Sequence, residues 1–229
     1  MLKVGVVLSG CGFQDGTEIQ EAVFTLHALD QRNITIVAMA PNINQTKVIN
    51  HLTGETVNET RNSLVEAARI TRGNVHDIST VNLSELDAVI FTGGFGVALN
   101  LSNFATAGIH TTVLPEIENL IRVMHTTGKP MGFICISPVL AASVLGRMEL
   151  EHKPTLTIGS DAETAKVIHD LNATHQASTV DDIVVDLENR LVSTPAYMIG
   201  PGPRDVAQGI NKLVRQILVM AETLKGAVV

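Results

Sequence analysis

The sequence predicts a doubly wound α/β domain built on a mostly parallel sheet. Three observations predict it. Short β-branched runs alternate with amphipathic stretches along all 229 residues. No linker, repeat or low-complexity tract interrupts them, so residues 1–229 read as a single domain. The turns that carry glycine or cysteine follow predicted strands, and in such folds ligands bind at the C-terminal strand ends.

Leu2 to Leu8 is a short β-branched run and reads as a fully buried parallel strand. Ser9 to Gly16 is a glycine-rich loop. Thr17 to Leu29 is helical, with Ile19, Ala22, Val23, Leu26 and Leu29 on one face and Glu18, Gln20 and Glu21 in the first turn. Ile34 to Ala40 is the second strand and completes a right-handed strand–helix–strand unit. Asn42 to Thr60 has no useful period beyond a small hairpin of Val48 to Leu52 with Thr56 and Val57. Arg61 to Arg72 is a helix, and Leu83 to Leu86 is a single turn. Asp87 to Phe91 is the third core strand and runs into Thr92-Gly93-Gly94-Phe95-Gly96. Asn100 to Ala107 is polar and small, a loop or a broken helix. Pro115 to Thr127 is an amphipathic helix that Gly128-Lys129-Pro130 stops, and the next strand ends at Cys135. Thr155 to Ile158 is a short strand and Ala162 to Leu171 a helix. Ile183 to Asp186 and Arg190 to Ser193 form a hairpin, Pro195 to Pro203 a loop, and Arg204 to Leu224 the closing helix.

Composition excludes several function classes. Net charge is −7 with no basic block, which argues against nucleic acid and anionic membranes. Aromatic residues are 3% of the chain, so base-stacking platforms are not expected. No apolar run approaches the length of a membrane span. Two cysteines in a chain this long are no disulfide framework and fit a reducing compartment. Leu8-Ser9-Gly10-Cys11 looks like a lipoprotein cleavage site, but Val4 to Leu8 is too short for a signal-peptide core. The expectation is a soluble, cytoplasmic protein.

Met131 to Pro138 carries the clearest chemical signal. An apolar run ends at Cys135, and Pro138 opens a helix, where proline is well placed. That is the pattern of a nucleophile elbow, which lifts a side chain above a sheet beside a helix N-terminus. The helix dipole would favour the reactive thiolate. The bland alternative is a buried cysteine ending a core strand. Glycines at 93 and 94 let the backbone turn its N–H groups toward a bound oxygen. The amides of Gly94 and Ile136 would form an oxyanion hole. A carboxyl beside the thiol would shuttle protons, and burial would raise its pKa.

A first strand, a glutamate in the next helix, a strand ending in Gly-Gly and a cysteine elbow together resemble the DJ-1/PfpI superfamily. Leu8-Ser9-Gly10-Cys11-Gly12, Asn50-His51-Leu52-Thr53-Gly54-Glu55, Glu59-Thr60-Arg61-Asn62, Ala67-Ala68-Arg69-Ile70, Gly93-Gly94-Phe95-Gly96 and Thr194-Pro195-Ala196-Tyr197-Met198 resemble its ElbB/ES1 branch. The bacterial form of that branch is named for glyoxalase activity and for lycopene biosynthesis. The resemblance covers nearly the whole chain. It implies a flavodoxin-like, class I glutamine amidotransferase-like fold, a homodimer and no cofactor. Its glutamate matches Glu21 by spacing, with Glu18 second.

The departures from the pattern matter. A protease of the superfamily has histidine directly after the cysteine, where this chain has Ile136. Thr155-Leu156-Thr157-Ile158-Gly159 holds no histidine either, and His152 cannot be placed at the site. His27, His76, His125 and His169 form no pair with metal-ligand spacing, so no metal is expected. Gly10, Gly12 and Gly16 are not a dinucleotide fingerprint. Cys11, Gly93 and Asn103 are further pocket candidates. Cys11 reads otherwise as a small buried residue, and Asn100, Ser102 and Asn103 as helix caps. The resulting expectation is a glutathione-independent glyoxalase acting on a small-molecule aldehyde through Cys135 and Glu21. The alternatives are a redox-sensing or regulatory protein linked to isoprenoid biosynthesis and, third, a cysteine amidase.

Overall fold

The computed structural model describes residues 1–160 and 162–227. Its central sheet contains β1 (Lys3–Val7), β2 (Thr35–Ala40), β3 (His76–Asp77), β4 (Ala88–Phe91), β5 (Met131–Ile134), β6 (Val184–Asp186) and β7 (Leu191–Thr194). The spatial order is β6-β7-β5-β4-β1-β2-β3. Every neighbouring pair is parallel except the β6–β7 hairpin at one edge. The fold is therefore mixed α/β with a mostly parallel sheet, as the alternation of runs predicts. Strands β1, β4 and β5 are covered on both faces, which is why they read as unbroken apolar runs rather than alternating ones.

Helices α1 (Ile19–Asp30), α2 (Ser63–Thr71), α3 (Pro115–Thr126), α4 (Pro138–Leu145), α5 (Ala162–Asp170) and α6 (Pro203–Gly226) flank the sheet or its edge. One face of the sheet buries Met39, Phe91 and Phe133 against α3 and α4. The other buries Val6, Ile90 and Ile134 against α1 and α6. Phe91 and Phe133 stack with centroids 4.9 Å apart just beneath the strand ends that carry the site.

Two local expectations are corrected. The strand β3 was not expected from sequence, because two residues carry no periodic signal. The buried face of α1 is rotated from the one that its large aliphatics suggest. Ile19 and Val23 are 43% and 45% exposed, while Glu21, Ala22, Thr25, Ala28 and Leu29 are buried. Ala22, Ala28 and Thr25 are small enough for α1 to lie close against α6 and the sheet. Thr25 satisfies its hydroxyl on the Glu21 carbonyl at 2.8 Å. The small hairpin forms as expected, pairing Val48–Ile49 with Thr56–Val57. A further two-stranded pair joins Thr155–Leu156 to Thr174–His175.

Candidate active site

The ends of β1, β4 and β5 converge, and each contributes one part of the site. After β5 the chain turns at Cys135, whose φ of 63° lies in the left-handed region that non-glycine residues rarely occupy. Local hydrogen bonds hold that turn. The Cys135 amide donates to Thr194 O at 3.0 Å, and the Ile134 amide donates to Ser137 Oγ at 2.7 Å. The elbow expected from sequence is thus present, with Pro138 in the first turn of α4. Cys135 is 7% exposed and lies at the floor of a cleft of about 610 Å3.

The Gly-Gly turn after β4 lies against the sulfur. A Cβ at Gly93 would collide with the Cys135 Cβ and Glu21 Oε2, so only glycine fits between the two side chains. At Gly94, φ is 96° and a Cβ would strike Gly16 O and Glu18 N. This conformation lets the Gly94 amide act on the Cys135 sulfur as a hydrogen-bond donor, together with the Ile136 amide. Those are the two amides that the sequence proposes as oxyanion donors.

Glu21 comes from the first turn of α1. Glu18 caps that helix, accepting from the Glu21 amide at 2.6 Å, and the Glu18 amide donates to Gly93 O at 3.0 Å. These bonds fix the helix start against the Gly-Gly turn. The Glu21 carboxyl is fully buried. Its Oε2 accepts from the Gly93 amide at 3.0 Å and its Oε1 from the Tyr197 amide at 3.2 Å. Its other neighbour is the Cys135 side chain, across the gap that Gly93 leaves open. Burial, then the charge of Glu18, pushes its pKa up to about 8 against a usual 4.5, despite the two amides.

Burial also pushes the Cys135 thiol well above its usual value, and the charge of Glu21 adds to the effect. The amides of Gly94 and Ile136 oppose this without overcoming it. This corrects the expectation that a helix terminus would favour the thiolate. Desolvation of a buried sulfur beside a carboxyl outweighs two amides and a dipole. Both groups therefore hold their protons at neutral pH.

The structure brings Cys135, Glu21, Gly93, Gly94 and Ile136 together, with Glu18 in the cleft lining. It does not bring Cys11 or Asn103 to that lining. Cys11 is partly exposed on the loop after β1, where burial raises its pKa, followed by the charge of Glu66. Asn103 Oδ1 accepts from the Thr112 amide at 2.7 Å and the Thr111 hydroxyl at 3.1 Å. Asn100 Nδ2 donates to Ser9 O at 3.0 Å and Asp15 O at 2.8 Å, which pins the glycine loop. Among the described residues no histidine lines the cleft, and no cluster of three His, Cys, Asp or Glu side chains could hold a metal.

Sequence reasoning missed Tyr197. Its amide holds Glu21, its hydroxyl pairs with the Gln20 side chain, and its ring lines the cleft. Ala196, with φ of 44°, turns the backbone just before that amide. The available signal was positional, since Thr194-Pro195-Ala196-Tyr197 follows the strand beside Cys135.

No protein-family model matches the chain. Relatives do. Human glutamine amidotransferase-like class 1 domain-containing protein 3, mitochondrial, is 40% identical over 226 residues, covering 94% of this chain and 82% of that protein. The chain belongs to the family of glutamine amidotransferase-like class 1 domain-containing and ES1 proteins. The rat ES1 protein homolog, mitochondrial, is 38% identical over 94% of this chain and 83% of that protein. Among solved structures, an isoprenoid biosynthesis protein with an amidotransferase-like domain from Ehrlichia chaffeensis is 36% identical. It superposes with a TM-score of 0.89 over 96% of this chain and 99% of that one. Drosophila melanogaster DJ-1beta, at 16% identity and TM-score 0.52 over 97% of each chain, shares the fold alone. The fold class expected from the resemblance, class I glutamine amidotransferase-like, is confirmed. The cytoplasmic expectation is overturned: the human relative and the ES1 relatives of rat and Danio rerio are all named mitochondrial. Among the described residues, no helix is long and apolar enough to cross a membrane.

Proposed function

We propose that this ES1-branch protein is a glutathione-independent, cofactor-independent glyoxalase. It would convert a small 2-oxoaldehyde, methylglyoxal or glyoxal, to a 2-hydroxy acid. One observation carries the reading. A buried thiol and a buried carboxyl face each other across Gly93, with the amides of Gly94 and Ile136 acting on the sulfur.

The reactive form is the dyad that holds one proton. The Glu21 carboxylate takes the proton from Cys135 Sγ as the sulfur bonds to the aldehyde carbon. The same proton then passes to the carbonyl oxygen, giving a hemithioacetal. The Gly94 and Ile136 amides hold that oxygen while it is negative. Glu21 next carries the hydrogen of the former aldehyde carbon to the neighbouring carbonyl oxygen, giving an enediol, and then carries the proton of the first hydroxyl to the second carbon. The product is a thioester of the 2-hydroxy acid. Water cleaves it, releasing the acid and restoring the thiol. One water is consumed, with no oxidant or reductant. The test is lactate formation from methylglyoxal without glutathione, in wild type and Cys135→Ala. Equal rates in both would end the reading.

A cysteine amidase needs a group that protonates a leaving amine, commonly histidine. The cleft lining offers no histidine among the described residues. The regulatory reading draws on the Ehrlichia relative, which is named an isoprenoid biosynthesis protein. It predicts no turnover but stoichiometric oxidation of Cys135 by low peroxide, read by mass spectrometry. A carboxyl placed beside the thiol to take its proton favours the glyoxalase reading over that one. The exposed Ile19 and Val23 on α1 give a homodimer, the assembly that the resemblance implies, a face to use.

A further inference from the structure

The chain contains six phenylalanines, one tyrosine and no tryptophan. Of those seven side chains (six plus one), Phe13, Phe95, Phe104 and Tyr197 all line the cleft above Cys135. Phe91 and Phe133 are spent on the core. Phe13 and Phe95 stay 48% and 56% exposed. Core packing gives no reason for large aromatic side chains to stand in solvent around one site. Val167 and Met198 extend the apolar wall.

The cleft is also large for the proposed chemistry. Its volume is about 610 Å3, within the range of about 300–1,000 Å3 that holds a drug-sized ligand. Methylglyoxal would occupy a small part of it and leave the aromatic wall in water. Among the described residues, the charged side chains of the lining are the carboxyls Glu18 and Glu163, on a chain of net charge −7. They disfavour an anionic substituent.

We infer that the cleft takes an uncharged 2-oxoaldehyde bearing a flat apolar substituent, in the simplest case an aryl ring. The dicarbonyl head meets Cys135 and the ring covers Phe13, Phe95 and Phe104. The inference rests on the glyoxalase reading for the head and on the aromatic wall for the body. Atoms balance as for methylglyoxal: the aryl 2-oxoaldehyde plus one water gives the aryl 2-hydroxy acid.

The test separates recognition from turnover. Binding is measured by ligand-observed NMR on Cys135→Ala, which cannot form the hemithioacetal, with Cys135→Ser as a second variant. The unreactive probes are 2-hydroxyacetophenone, hydroxyacetone and the anion phenylglyoxylate. The aryl ketone should bind at least about tenfold more tightly than either of the others. In wild type, kcat/KM for phenylglyoxal should exceed that for methylglyoxal by a similar factor. Phe104→Ala should shrink that ratio at least about threefold. Equal binding of aryl and methyl ketones overturns the inference even if methylglyoxal is turned over. Tighter binding of phenylglyoxylate overturns it too. Selective aryl binding without turnover of either aldehyde upholds the recognition and removes the glyoxalase reading.

Discussion

The two cysteines make a natural comparison. Cys11 follows β1 and Cys135 follows β5, and both thiols feel a glutamate, Glu66 and Glu21 respectively. The difference is the company each carboxyl keeps. Glu66 lies 2.8 Å from the Arg69 guanidinium and 3.7 Å from Arg61. Those cations offset its charge at the sulfur, since Arg69 and Arg61 both pull the Cys11 pKa down. Glu21 has two amides, the thiol and the charge of Glu18 around it, and among the described residues no cation pulls its pKa down. A carboxyl beside a thiol becomes a proton carrier near neutral pH when burial is complete and cations are kept away. Beside arginines it is the acidic half of an ion pair.

The largest test of this contrast is removal of each sulfur. Cys135→Ala should abolish lactate formation from methylglyoxal, and Cys11→Ala should leave the rate within about twofold. Loss of activity in Cys11→Ala would assign the chemistry to the wrong strand end. Glu21→Gln comes next. It should lower kcat/KM by about 10²–10⁴-fold, the usual worth of general acid–base catalysis. It should also remove a rise in rate that wild type shows as pH climbs toward about 8, where Glu21 loses its proton.

The same variant has an opposite effect on stability. The Glu21 pKa is about 8 folded against 4.5 for the free group. The folded protein therefore holds this proton more tightly than the unfolded chain. The resulting stability is fully present below pH 4.5 and is lost as pH rises through about 8. That loss is roughly 3–5 kcal/mol. Glu21→Gln lacks it, so urea unfolding should find the variant more stable than wild type at pH 9. A variant that is less stable at pH 9 would mean that Glu21 is ionised in the fold at little cost.

Gly93→Ala should show a smaller effect, from crowding rather than lost chemistry. The new methyl meets Cys135 and Glu21 and should cost about 1–3 kcal/mol of stability. Thermal melting checks it, and an unchanged Tm would mean that the two side chains are not wedged as described. The smallest effect belongs to the Cys11 side. Arg69→Gln should push the Cys11 thiol pKa further up, because the cation that lowers it is gone. Iodoacetamide alkylation of Cys11 as a function of pH reads that shift. An unmoved profile would show that Arg69 does not act on this sulfur.

Much of the fold was legible in the sequence because both faces of β1, β4 and β5 are covered, so their apolar runs are unbroken. The elbow was legible because Cys135 precedes a proline that can only begin a helix. Less legible was anything decided by packing. The face of α1 is set by how closely Ala22, Thr25 and Ala28 let it approach its neighbours, and a count of aliphatics points to Ile19 and Val23 instead. The sign of the Cys135 shift depends on how much water the sulfur loses, which no spacing reports. The Tyr197 amide reaches Glu21 across 176 positions through a backbone turn at Ala196. The aromatic wall gathers residues from three distant segments, around Phe13, Phe95 to Phe104, and Tyr197.

The central claim is that the Glu21 carboxyl stays protonated at neutral pH beside a protonated thiol. Infrared difference spectroscopy of the carboxyl C=O band, wild type against Glu21→Gln, reads this directly. The account predicts a protonated-acid band that is present at pH 7 and disappears as pH passes about 8. A carboxylate spectrum already complete at pH 6 would contradict it.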